Sequence, residues 1–211
     1  MADILQKIAS NLYEGEDEVV GELVQKALDD GLAPSEILQA GLIAGMDEVG
    51  RDFKAGDLFV PEVLIAARAM HAGMAVLRPL LAESDTPTAG KLVIGTVKGD
   101  LHDIGKNLVK MMLEGGGFET IDLGTDVDSQ AFVNAVREHK PTLVGMSALL
   151  TTTMVQMKTT VEALTEAGLR DSVKIMVGGA PVTDAFAKEI GADAYAPDAA
   201  SAVDKARALS A

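Results

Sequence analysis

The 211-residue sequence predicts an α/β protein in two parts. Residues 1–83 should form a bundle of four helices, and residues 91–211 a doubly wound domain around a five-stranded parallel sheet. Two features carry this reading. Apolar residues recur at helical spacing up to about Leu81, and beyond residue 90 short β-rich apolar runs alternate with helical segments. Between them, residues 84–90 follow neither period and include Pro87 and Gly90, which marks a linker.

In chain order, Ile4, Leu5, Ile8 and Leu12 define the first helix. Val20, Leu23, Val24 and Leu28 define the second, which Asp30-Gly31 closes. Pro34 opens a third containing Ile37, Leu38, Leu42, Ile43 and Met46, and Gly56 interrupts the pattern. Pro61 starts a long fourth helix, from Glu62 to about Leu81, with Leu64, Ile65, Ala69, Met74 and Leu77. Four helices of this size pack as a small bundle. Strands are expected at residues 91–97, 118–123, 142–147, 173–177 and 192–195. The helices between them lie near 105–114, over Ser129–His139, up to about 167 and from Thr183, with a last one at the end. Five such units favour the flavodoxin-like strand order 2-1-3-4-5.

Composition narrows the function. The sequence has no Trp, two Tyr and five Phe, so Leu, Ile, Val, Met and Ala must fill the core. A net charge of −14 repels phosphate backbones, and no basic patch interrupts it, which argues against nucleic acid as a partner. With no Cys there are no disulfides, thiolate nucleophiles or sulfur-ligated metals. The opening MADILQKIASNLYEGEDEVV lacks a signal-peptide core, and no apolar run approaches the ~20 residues of a membrane span. A cytoplasmic protein without a membrane partner is expected.

Open α/β sheets bind ligands at the carboxyl ends of their strands, where the strand order reverses. Here that crevice lies between strands 1 and 3. The first βα loop, Lys98-Gly99-Asp100-Leu101-His102-Asp103-Ile104-Gly105, brings an imidazole and two carboxylates to it. Strand 3 ends at Ser147-Ala148-Leu149 and strand 4 at Gly178-Gly179-Ala180. Each group also has an ordinary explanation. Gly178-Gly179 could form a tight turn, while Ser147, Asp100 and Asp103 could cap helices. Rival chemistries fit less well. Glycines 95, 99 and 105 make no GxGxxG fingerprint, and GxxxxGK[ST] is absent. His71 and His139 lie in expected helices elsewhere on the chain, away from a zinc-like grouping with His102.

Taken together the loops resemble the cobalamin-binding signature Asp-x-His-x-x-Gly, Ser-x-Leu and Gly-Gly. It reads here as Asp100-Leu101-His102-Asp103-Ile104-Gly105, Ser147-Ala148-Leu149 and Gly178-Gly179. The spacings match too, with 41 residues between Gly105 and Ser147 and 28 between Leu149 and Gly178. The segment from Val49-Gly50-Arg51-Asp52-Phe53 to Val60-Pro61-Glu62-Val63 resembles the helical cap of the same proteins, so the likeness covers nearly the whole chain. It is greatest to the small corrinoid proteins of methyltransferase systems and to the cobalamin module of methionine synthase.

That resemblance implies a Rossmann-like cobalamin domain below a helical cap. The cofactor, cycling between methylcobalamin and cob(I)alamin, would be base-off, with His102 as lower axial ligand to cobalt. Asp100 would fix the His102 ring, and Ser147 would extend a relay Asp100–His102–Ser147. Gly99, Leu101, Asp103, Ile104, Gly105, Leu149, Thr151, Gly178, Gly179, Ala180 and Ala199 would line the cofactor or its nucleotide tail. For Asp103 and Asn107 a helix-capping role is an equal alternative. Phe53, Val60 and Val63 would shield the upper face, unless they are bundle core. The implied function is a methyl carrier between a substrate-specific methyltransferase and a second one serving tetrahydrofolate or a thiol, kept active by a reductive activase. A cobalamin-dependent sensor and a mutase subunit are the alternatives.

Overall fold

The computed structural model describes residues 2–83 and 89–210; of the expected linker, residues 84–88 lie outside them. The chain divides into two compact units, one helical and one α/β.

The helical unit comprises α1 (Ala2–Tyr13), α2 (Asp17–Asp29), α3 (Pro34–Ile37), α4 (Ala44–Ala55) and α5 (Val60–Glu83). Local chemistry sets the boundaries. Pro34 occupies the first turn of α3, and Gly56 ends α4 in the left-handed region. The Glu62 carboxylate reaches back to accept from the Phe59 amide (2.9 Å), capping α5. The third expected helix is not uniformly α: α3 and α4 are joined through a π-helical segment, Leu38–Ile43. Leu38, Gly41, Leu42 and Ile43 of this segment are buried.

Helix α5 corrects one expectation. Over Val60–Leu81 it is long and apolar enough to cross a membrane by length and composition. It packs along α2, burying Val63, Ala66, Ala67, Met70 and Leu77, with Arg68 ion-paired to Asp17 (2.8 Å). Its apolar content comes from this buried stripe together with the exposed Val60, Leu64, Ile65 and Leu80.

In the α/β unit, β1 (Gly90–Thr96), β2 (Phe118–Asp122), β3 (Leu143–Ser147), β4 (Lys174–Gly178) and β5 (Ala194–Ala196) alternate with α6 (Ile104–Gly115), α7 (Ser129–His139), α8 (Thr151–Glu166), α9 (Asp184–Glu189) and α10 (Ala199–Ser210). The sheet order is β2-β1-β3-β4-β5, and every pairing is parallel. Being covered on both faces, the central strands are apolar without alternation: Leu92, Val93, Ile94, Leu143, Val144, Ile175, Met176 and Val177 are all buried. The fifth strand starts later than expected, at Ala194, just after Asp193, whose carboxylate accepts from the Ile175 amide (2.7 Å) and Arg170 (2.8 Å).

Register fixes what the loops can do. Thr96 pairs with Ser147, Ser147 with Gly178, and Gly178 with Ala196. The loops after β1, β3 and β4 therefore leave the sheet from one row, at its carboxyl edge.

Candidate functional site

Beyond Thr96 the chain crosses the sheet edge through residues 97–103 before α6 begins. The neck of this loop is tied. The buried Thr96 hydroxyl donates to the His102 carbonyl (2.9 Å), and the Asp100 amide donates to the Val97 carbonyl (3.1 Å). Gly99 takes φ +80°, a conformation that costs glycine little. Asp100 is thereby turned inward and fully buried, while the His102 ring remains about half exposed, at 54%.

Asp100 presents two oxygens to four donor positions. Oδ1 accepts from the His102 amide (3.1 Å) and lies 2.9 Å from His102 Nδ1. Oδ2 accepts from the Leu149 amide (2.8 Å) and the Thr153 hydroxyl (2.6 Å). Burial alone would push the carboxyl up, but the bonds from Thr153, Leu149 and His102 outweigh it and hold Asp100 well below the ordinary 3.8. An ionised carboxylate can only accept, so the ring hydrogen sits on Nδ1 and the lone pair on Nε2. Nε2 has no hydrogen-bond partner among the described residues.

The expected relay is corrected here. It runs from His102 through Asp100 to Thr153, and Ser147 is not its end. Ser147 is the last residue of β3, in register with Thr96 and Gly178, and its hydroxyl makes no hydrogen bond to the dyad. Thr153, buried in the first turn of α8, and Thr96 were not singled out from sequence. The run Thr151-Thr152-Thr153 offers three equivalent hydroxyls, and only the helix phase decides which one turns inward. Thr153→Val, nearly isosteric, should cost about 2 kcal/mol in urea denaturation because a charged acceptor loses a donor. A loss below about 0.5 kcal/mol would show the bond to be idle.

Around this dyad the other expected residues fall as follows. Leu101 and Ile104 are 74% and 79% exposed, and Leu149 is exposed as well, so apolar side chains flank an outward imidazole. Exposed apolar clusters of this kind are a feature of ligand-binding and partner-binding surfaces alike. Asp103 directly precedes α6; its carbonyl accepts from the Asn107 amide (2.7 Å) and its carboxylate from the Asn107 side chain (3.2 Å). The first turn of α6 is anchored through Lys106, buried and bonded to both Asp122 oxygens (2.6 and 2.7 Å) and to Asn107 (2.7 Å). A Cβ added at Gly105 would meet no protein atom, so space remains there. Gly178 and Gly179 are explained by the backbone itself: a Cβ would lie 2.9 Å from the Ala196 carbonyl oxygen and 1.9 Å from that of Ala148, respectively. Thr151 and Ala180 are exposed, and Ala199 is buried at the start of α10. In the helical unit Phe53 is half-buried, Val60 is exposed and Val63 is fully buried, so Val63 follows the core alternative.

Among the described residues no group of three or more His, Asp or Glu could hold a metal ion. A single outward imidazole, ringed by apolar side chains and backed by a carboxylate, suits a metal that arrives with its other ligands in place. A corrinoid is such a group, and the free Nε2, the apolar flanks and the space at Gly105 fit it.

Comparison with known proteins agrees. Two family models, each described as a B12 binding domain, match residues 90–204 and residues 4–78. Trimethylamine corrinoid protein 1 of Methanosarcina acetivorans is 46% identical over 209 residues, 98% of this chain and 97% of its own. The dimethylamine corrinoid protein of Methanosarcina barkeri is 47% identical, again over 98% of this chain and 97% of its own. Among solved structures, the methanol:cobalamin methyltransferase complex of Methanosarcina barkeri matches with TM-score 0.88 at 33% identity, over 99% of this chain and 80% of that chain. The paired carboxylate and imidazole at the edge of this sheet thus belong to a B12-binding protein, and the chain is a member of the corrinoid protein family.

Proposed function

We propose that this chain is a methyl carrier in which His102 is the lower axial ligand of a base-off cobalamin. The corrinoid supplies a cobalt centre that accepts and releases a methyl group; the chain supplies the setting. Asp100 holds Nδ1–H, which leaves Nε2 aimed outward as the ligand atom. Thr153 and the Leu149 amide hold Asp100 ionised. Leu101, Ile104 and Leu149 give the macrocycle an apolar seat, and the row Ser147–Gly178 at the sheet edge borders a path for the nucleotide tail. Residues 91–211 are the cofactor domain, and residues 1–83 serve as the cap.

The single observation that carries this reading is the outward Nε2 backed by the buried Asp100. Full-length similarity to corrinoid proteins named for trimethylamine and dimethylamine favours a carrier over a sensor or a mutase subunit. The similar methanol:cobalamin complex supports a methyltransferase as one partner. A second methyltransferase, serving tetrahydrofolate or a thiol, would take the methyl group away, and a reductive activase would restore the reduced cobalt.

EPR of the cobalt(II) form, with histidine labelled with nitrogen-15, tests the ligand. The axial hyperfine splitting should change with the label and vanish in His102→Ala. A splitting indifferent to the label would assign the axial position to the cofactor's own base and end the His102 reading.

A further inference from the structure

Two non-glycine residues have positive φ among the described residues. Lys140 (φ 46°) terminates α7, where this conformation is ordinary. Asp126 (φ 55°) ends no helix; it lies in the loop between β2 and α7, next to the bridge that Val127 makes with Val97. Aspartate tolerates this conformation better than most side chains, so what singles Asp126 out is where its bonds fall. All three of its hydrogen bonds fall on the segment leading into His102. Its amide donates to the Asp100 carbonyl (3.0 Å), Oδ1 accepts from the Gly99 amide (2.8 Å), and Oδ2 accepts from the Lys98 ammonium (3.1 Å). The Gly99 amide, followed by Lys98, holds the Asp126 carboxyl below its ordinary value.

The ends of this segment are tied by the Thr96–His102 and Asp100–Val97 bonds, and Gly99 lies between them. Gly99 is exposed and, as glycine, is the residue freest to leave its conformation. Asp126 grips both sides of it. The grip fixes the Cα of Asp100, and with it the oxygen that meets His102 Nδ1.

We propose that Asp126 is a positioning residue that acts through Gly99 and Asp100 to hold His102 Nε2 in its outward, ligating direction. The inference rests on the His102 reading for its consequence at the metal, but its effect on the loop stands without any cofactor.

The experiment compares wild type, Asp126→Gly and Asp126→Asn in two states. Glycine keeps the left-handed backbone and its amide bond while deleting the carboxylate. Asparagine keeps an acceptor for Gly99 and also favours this conformation. In the cofactor-free protein, amide hydrogen exchange at Gly99 and His102 should rise about tenfold in Asp126→Gly with Tm nearly unchanged, and stay near wild type in Asp126→Asn. In the cobalt(II) form, the histidine-derived splitting should weaken markedly in Asp126→Gly and persist in Asp126→Asn. Wild-type exchange, or an undiminished splitting, in a folded Asp126→Gly overturns the proposal. If that variant does not fold, loss of the splitting in a folded Asp126→Asn overturns it and retention supports it. If wild type itself lacks a histidine splitting, the ligation reading fails, and the exchange comparison alone decides for Asp126.

Discussion

Gly179→Ala is expected to remove about 3 kcal/mol of stability, since it adds a forced contact to a disfavoured backbone angle. Cofactor uptake should fail with it. At φ +123° a Cβ would stand 1.9 Å from the Ala148 carbonyl oxygen and 2.9 Å from its carbonyl carbon. Neither atom is the tip of a flexible side chain. Ala148 is buried and carries the Leu149 amide that bonds Asp100, so relief of the clash must move a donor away from the carboxylate. Urea denaturation and spectroscopic titration with hydroxocobalamin measure the two effects. A loss below about 1 kcal/mol with normal uptake would mean that the β3 and β4 ends can separate freely, contrary to the packing described.

Asp100→Asn should have an effect of similar size at the site, because no orientation of an amide satisfies all four donors. With its oxygen toward His102, the amide NH2 faces the Leu149 amide, which loses its acceptor. Thr153 can adapt, since its hydroxyl can turn to the Leu150 carbonyl at 3.0 Å. With the oxygen turned the other way, NH2 faces the His102 amide and ring. Nδ1 must then accept, and the ring hydrogen moves to Nε2, the atom proposed as the ligand. The orphaned donor costs about 2 kcal/mol. The histidine-derived splitting should fall sharply, whereas Asp100→Glu, if it can be seated, should restore part of it. The pH dependence has a definite sign. The folded-state carboxyl lies below its unfolded value of about 3.9, so its stabilisation is complete above that value and is lost as pH falls toward the folded one. The stability gap between wild type and Asp100→Asn should therefore be level from about pH 8 to 5 and close only below about pH 4. A gap that closed near neutrality would refute an ionised, hydrogen-bonded Asp100.

Much of the fold was legible because its signals are local. Strand order followed from five β–α units, and the helix expected over Ser129–His139 is found at those bounds, capped by the Asp128 carboxylate, which accepts from the Ala131 amide (2.8 Å). The π segment was not legible. Leu38, Leu42 and Met46 keep helical spacing through it, and one wider turn leaves no mark on such a pattern. At the site, Asp100 and His102 could be paired from sequence since they stand two residues apart. Thr153 could not be preferred to Ser147: both are hydroxyls reaching one sheet edge, and the choice depends on how α8 is phased against β3. Asp126 carried no signal at all. An exposed acid in a loop is ordinary until its φ angle and the Gly99 amide are seen together. The burial of Val63 against the exposure of Val60 is likewise a matter of helix phase, which the period alone leaves free.

The order in which ribosomes release these segments adds a constraint. Asp100 is bonded to a donor at a sequence separation of 49 and another at 53, and Gly99 to an acceptor at 27. When His102 emerges, none of the distant groups that aim it has yet been made. If His102 is the ligand, its setting cannot be finished until β3 has docked and α8 has begun to wind, and cofactor loading would belong to the end of synthesis or after it. A growing chain would thereby be kept from seizing a corrinoid with a half-built grip.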